Sequence, residues 1–275
     1  MQDLSQRFPV WFCDVWGVLH DGVRVFAATV DTLTRHRGQG GLVILVSNSP
    51  RTASGVAAQL AGLGVPTTCH DAIVTSGDVT RTLAVKASGG KVFHLGHERD
   101  VSIFKDLPVR RTTLEEAHAV LCTGLFDDSR ETPADYAALL RQMRELALPM
   151  ICANPDKVVR KGARLLYCAG ALAEAYAALG GTVLMAGKPF SPIYELAHSE
   201  AARLGKRRFA KTEILALGDG PETDIKGAAD YGIAAVLVAD GVTDASNGLV
   251  AAEAAVKAAV PAADIVRTVR QLQWA

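Results

Sequence analysis

The chain has no excess charge of either sign. Lys and Arg number 29, and so do Asp and Glu, in 275 residues. Without a basic field there is nothing to gather nucleic acid or an anionic lipid surface by counterion release. No apolar run approaches the roughly 20 residues that span a bilayer. The opening MQDLSQR lacks the charged-then-apolar order of a secretory leader. The five cysteines (Cys13, Cys69, Cys122, Cys152, Cys168) form no CxxC pair and are odd in number. That excludes a disulfide framework and points to reduced core thiols in a cytoplasm. No internal repeat or low-complexity tract appears except the alanine-rich stretch 251–263, which helix propensity explains. These absences leave a cytoplasmic protein whose partner is a small molecule, with no nucleic acid and no membrane. Among protein partners, a second copy in a homodimer is the one left open.

What is present is a large apolar share, 49%, enough for a sizeable core in one domain or two. Residues 8–22, FPVWFCDVWGVLHDG, organise the rest. Phe8, Val10, Trp11, Phe12 and Cys13 make a run too short for a core helix and suited to a buried strand, and it ends on Asp14. LVILVS (42–47) is a second buried strand, followed by Asn48. Ser49 and Pro50 are placed to cap and start a helix. AIVTS (72–76) is a third strand, leading into a helix over 78–86. Strand and helix in alternation predict a parallel sheet with right-handed crossovers.

Residues 88–181 read as an inserted unit between Gly89-Gly90 and Gly180-Gly181. It holds strand candidates KVFHL (91–95), AVLCT (119–123) and PMICA (149–153). A helix capped by Thr132 with Pro133 first and a second over 170–179 complete it. The core pattern then resumes with TVLMAG (182–187), Lys188, a helix started by Ser191-Pro192, ILALGD (214–219), a short helix over 223–231 and AAVLVAD (234–240) as last core strand. The tail 261–274 is amphipathic, with Ile265, Val266, Val269 and Leu272 on its buried side. The expected architecture is α/β: a Rossmann-like parallel-sheet core of residues 1–87 and 182–275, with an inserted α/β cap domain of residues 88–181.

Four buried strands thus end in polar groups of complementary type: Asp14; Ser47 with Asn48; Lys188; and Asp219, with Asp224 five residues on. Each alone is explained by a turn, a cap or a solvated lysine. Together, three carboxylates on neighbouring strand ends repel one another unless a cation sits among them, and hard oxygen ligands suit magnesium. A lysine and a serine opposite can hold phosphate oxygens, which makes Asp14 a candidate nucleophile for phosphoryl transfer. His94 and His97 have no third ligand in local register and read as strand and loop residues.

In these residues the chain resembles the haloacid dehalogenase superfamily, class IIA, the p-nitrophenylphosphatase-like and sugar-phosphatase-like branch. Asp14-Val15-Trp16-Gly17-Val18 is similar to its first motif, and the strand ending at Ser47 to its second. Gly187-Lys188-Pro189, with Tyr194 nearby, resembles the third, and the run from Gly218-Asp219 to Thr223-Asp224-Ile225 the fourth. Ala153-Asn154-Pro155-Asp156 resembles an element of the cap. The resemblance implies a magnesium-dependent phosphatase of a small phosphorylated metabolite. Asp14 would be nucleophile and metal ligand, and Ser47 and Lys188 would bind phosphate. Asp219, Asp224 and the backbone carbonyl of Trp16 would complete the Mg2+ site. Asn48, Asn154 and Asp156 would meet the substrate. The family's second motif-one aspartate, the proton shuttle, is here Trp16. His20 and Asp21, just past Gly17, are candidate stand-ins for that acid–base role. A weak or inactive binder of a phosphorylated ligand and a dehalogenase- or phosphonatase-type hydrolase stay open as alternatives.

Overall fold

In a computed structural model, residues 1–161, 164–239, 241, 243 and 245–274 are described. In chain order the elements are α1 (Gln2–Arg7), β1 (Val10–Cys13), α2 (Ala27–Gly38), β2 (Leu42–Ser47), α3 (Ala53–Gly62), β3 (Ala72–Thr75), α4 (Ser76–Ala87), β4 (Lys91–Leu95), β5 (Arg110–Arg111), β6 (Ala119–Cys122), α5 (Ala137–Glu145) and β7 (Met150–Cys152). There follow β8 (Val158–Lys161), β9 (Arg164–Tyr167), α6 (Ala169–Ala178), β10 (Val183–Met185), α7 (Ser191–Gly205), β11 (Ile214–Gly218), α8 (Lys226–Tyr231), β12 (Ala234–Val238), α9 (Leu249–Ala259) and β13 (Ile265–Val269). No described helix is long and apolar enough to cross a membrane.

The chain divides into two compact units, residues 1–47, 56–74 and 188–275, and residues 48–55 and 75–187. The first contains a sheet in the order β13-β12-β11-β1-β2-β3. β1 pairs in parallel with both β2 and β11, Cys13 standing level with Leu45 and Leu217. β1 is buried along its whole length and β2 over all but Leu42. Such two-sided burial is what continuous apolar runs without alternation require. From β1 the chain moves outward through β2 and β3, and later from β11 outward the other way. The strand order therefore reverses between β1 and β11, where an open α/β sheet leaves a crevice beyond its carboxyl edge.

The second unit has its own parallel sheet, β10-β7-β6-β4-β5, and a two-stranded antiparallel pair, β8-β9. Its core joins Leu95, Val120, Cys122, Leu140, Met143, Met150 and Tyr176.

Several expectations are corrected. TVLMAG is not a core strand: β10 pairs with β7 in the second sheet. The expected boundaries at 87/88 and 181/182 lie inside the second unit, because Ala84 of α4 packs with Val92, Leu121 and Ile151. β12 is not last in the core sheet. The tail supplies β13, which pairs with β12 because Ile265, Val266, Thr268 and Val269 form a β-branched run. Asp240, the final residue of the expected strand 234–240, lies outside the described residues. Ser49 and Pro50 precede α3, which starts at Ala53, and the Asp78 carboxylate accepts the Ala53 N–H. Pro133 opens a single 3-10 turn, with α5 following from Ala137.

Candidate active site

Each functional side chain of the first unit is delivered by a strand end. Asp14 follows Cys13 directly, and its own N–H donates to the Leu217 carbonyl at 2.8 Å, so β1 and β11 fix its place together. Ser47 closes β2 and Asp219 follows the last residue of β11. Asp224 sits in the wide turn Pro221–Ile225. There the Gly220 N–H donates to its Oδ2 at 3.1 Å. All five groups, Lys188 included, are less than a tenth exposed.

Lys188 is the hub. Its Nζ donates to Asp14 Oδ1 at 2.5 Å, to Asp224 Oδ1 at 2.6 Å and to the Val46 carbonyl at 3.0 Å. An ammonium has three hydrogens, and these are three acceptors. Burial works against charge on this lysine, yet Asp14 and Asp224 outweigh it and hold its pKa well above the usual value. For Asp14, burial pushes the carboxyl up, the Lys188 charge opposes that, and Asp224 and Asp219 add to the rise.

Asp14, Asp219 and Asp224 each offer an oxygen, and these oxygens lie within 4.8 Å of one another. Three carboxylates against the one ammonium leave an excess of two negative charges. A dication bound by hard oxygens at about 2.1 Å fits both that spacing and that charge. The residues present suit magnesium.

Trp16 sits in the loop after Asp14, half-buried. Its indole meets the His20 ring edge-on at 5.2 Å between centroids. It also lies so close over Gly22 that a Cβ there would come within 2.9 Å of Cζ2. His20 is 1% exposed. Its Nδ1 accepts the Gly22 N–H at 2.9 Å, and burial lowers its pKa, with Asp21 opposing. Asp21 Oδ1 accepts the N–H groups of Val23 and Arg24 at 2.9 and 2.7 Å. Both candidate stand-ins are thus engaged in holding the loop's own shape.

Asn48, Asn154 and Asp156 come together in the second unit. Asn48 Nδ2 donates to Asp156 Oδ1 at 2.9 Å, and the Asp156 N–H donates to Asn154 Oδ1 at 3.0 Å. His94 bonds Thr123 through Nε2 at 3.0 Å and His97 caps the Arg99 N–H, so neither serves a metal cluster among the described residues. Sequence reasoning passed over Gly241 and Thr243, which the fold brings against Asp219. No local pattern marked them, because what sets them apart is their distance to Asp219.

Two family models match the chain: haloacid dehalogenase-like hydrolase over residues 11–110 and HAD-hydrolase-like over residues 185–272. A solved hydrolase of the haloacid dehalogenase-like family from Brucella suis is 44% identical, with 99% of this chain and 98% of that one covered and a TM-score of 0.89. A curated relative, D-glycerol 3-phosphate phosphatase from Mycobacterium tuberculosis, is 28% identical over 91% of this chain and 68% of its own length. A solved glycerol phosphate phosphatase from the same organism, in complex with magnesium, is 25% identical, with 98% of this chain and 76% of that one covered and a TM-score of 0.72. The chain belongs to the haloacid dehalogenase-like hydrolase family.

Proposed function

We propose that the protein is a magnesium-dependent phosphatase of a small phosphorylated metabolite, acting through an aspartyl-phosphate on Asp14. The observation that carries this reading is the buried Lys188 ammonium, set at 2.5 Å from Asp14 and 2.6 Å from Asp224 beside the Asp219 carboxylate. A carboxylate at a strand end with a fixed ammonium against it can attack phosphorus while the cation holds the phosphoryl oxygens. The similarity to glycerol phosphate phosphatases supports a small phosphate ester as substrate.

In the first step an Asp14 oxygen bonds to phosphorus as the ester P–O bond breaks, and the leaving oxygen takes the electron pair and then a proton. In the second, water attacks phosphorus, phosphate departs and the Asp14 carboxylate is restored. Ser47 and Lys188 orient the phosphoryl group through both steps. Asp14, Asp219, Asp224 and the backbone carbonyl of Trp16 would hold a magnesium ion, which would supply positive charge against the phosphoryl oxygens. Asn48, Asn154 and Asp156, all in the second unit, form a polar group for the substrate.

Trp16 carries no titratable proton, and His20 and Asp21 are tied into loop hydrogen bonds. Both half-reactions therefore rely on solvent for proton transfer. Substrates with weakly basic leaving groups, aryl and acyl phosphates, turn over fastest. Trp16 also favours a second reading, a protein that binds a phosphorylated ligand and hydrolyses it poorly. A phosphate-release screen over phosphorylated metabolites, with magnesium and with a chelator, decides between them. Magnesium-dependent release from some of these esters is expected. Binding of phosphate esters without release from any of them overturns the phosphatase reading.

A further inference from the structure

The Asp219 carboxylate is enclosed more tightly than its role as a ligand requires. A Cβ added to Gly17 would come 2.7 Å from Asp219 Cγ, and one added to Gly241 would come 2.5 Å from both Cβ and Cγ. Side-chain rotation at Asp219 cannot relieve the second clash, because its own Cβ is among the atoms struck. Gly17 has φ +87°, so backbone conformation by itself asks for glycine there. At 241 the space beside Asp219 admits only glycine. Two residues on, Thr243 Oγ1 donates to the Asp219 backbone carbonyl at 2.7 Å. Gly241 and Thr243 therefore bear on Asp219 in two ways, one by the space left for its side chain and one by a hydrogen bond to its backbone.

We propose that Gly241 and Thr243 are positioning residues that hold the Asp219 carboxylate in the orientation the divalent ion needs. The proposal rests on the metal reading of Asp14, Asp219 and Asp224. Octahedral magnesium tolerates little error in ligand placement, and a carboxylate free to choose among rotamers gives up order on binding. The slot between Gly17 and Gly241 sets the carboxylate plane, and Thr243 fixes the peptide from which it projects. Neither residue touches a reacting atom.

The test is magnesium binding to the full chain by isothermal titration calorimetry, with manganese binding by electron paramagnetic resonance as a second readout. Gly241→Ala is expected to weaken both by about tenfold or more while far-UV circular dichroism is unchanged. Thr243→Val is expected to weaken them severalfold and Thr243→Ser to restore them. Gly38→Ala, where an added Cβ meets nothing within 4 Å, is the control and leaves binding unchanged. If Gly241→Ala does not fold, the Thr243 pair carries the same test. Wild-type affinity in Gly241→Ala, or in Thr243→Val, overturns the clamp while leaving the metal site standing. A wild-type chain that binds no divalent ion overturns the metal reading, and the clamp with it.

Discussion

The two units share an architecture and differ in what their strands carry to the edge. Both are built on a parallel sheet with helical crossovers. In the first, the residues just at or past the strand ends are Asp14, Ser47 and Asp219, with Lys188 among them. In the second, β4, β6 and β7 run out into Gly96, Thr123 and Ala153, with no acid at any of these positions. A parallel sheet supplies a place for chemistry; uncompensated charge at that place supplies the chemistry. The first unit buries the Asp14, Asp219 and Asp224 carboxylates, two of them paired with Lys188, whereas the second buries a neutral His94–Thr123 pair at the same kind of edge.

The contrast breaks most completely at the nucleophile. Asp14→Asn is expected to lower phosphate release by about 10⁴-fold or more, as loss of a covalent nucleophile does elsewhere. Thr123→Ala, at the matching edge of the other sheet, leaves release unchanged. Steady-state assay of both variants checks this. Next comes the missing acid–base group. Its absence corresponds to about 10²–10⁴-fold, or roughly 3–5 kcal/mol of barrier. Trp16→Asp is therefore expected to raise hydrolysis of alkyl phosphates and to affect aryl phosphates little, as paired kcat/KM measurements would read. Fast alkyl-phosphate turnover in the wild type would instead give His20 or Asp21 the proton-transfer role, with His20→Ala and Asp21→Asn to tell them apart.

Lys188→Met leaves buried carboxylates without their cation. Removing one partner of a buried pair costs about 3–5 kcal/mol. A large drop in Tm is expected in chelator, and magnesium should recover more of it than it adds to the wild type. An equal shift in both proteins would mean that Lys188 and the ion do not share the compensation of charge.

The smallest effect is one the units share. His36 in the first and His94 in the second are buried, and burial lowers each to about 4. The unfolded chain, titrating near 6.5, then binds more protons than the folded one between those values. Stability is full above about pH 6.5 and falls as the pH drops towards 4. At pH 5 each histidine costs about 2 kcal/mol. Urea unfolding at pH 7 and pH 5 checks the slope, which His36→Gln and His94→Gln should each reduce.

Much of the site was legible because its residues stand at the ends of short apolar runs, a pattern local enough to read one strand at a time. Asp14, Ser47 and Asp219 needed only that pattern, and the charge argument joined them. What was illegible depends on partners. TVLMAG reads like any buried strand, and nothing within it says that β10 pairs with β7 and not with the core sheet. In the tail, Ile265, Val266, Val269 and Leu272 recur at a helical spacing, and the pairing with β12 settles the matter in favour of β13. The β8–β9 pair went unread because Val158-Val159 and Leu165-Leu166 are apolar runs of two residues, too short to stand out as strands. Gly241 and Thr243 were invisible because their importance is a distance to Asp219, and a sequence carries no distances.

The central claim is that Asp14 accepts the phosphoryl group. Mixing the protein with magnesium and acetyl phosphate, quenching in acid within one turnover and mapping peptides by mass spectrometry tests it directly. One phosphoryl group is expected on the peptide containing Asp14, absent from Asp14→Asn and longer-lived in the wild type than in Trp16→Asp. Phosphate released with no modified peptide, or modification at another residue, would contradict the account.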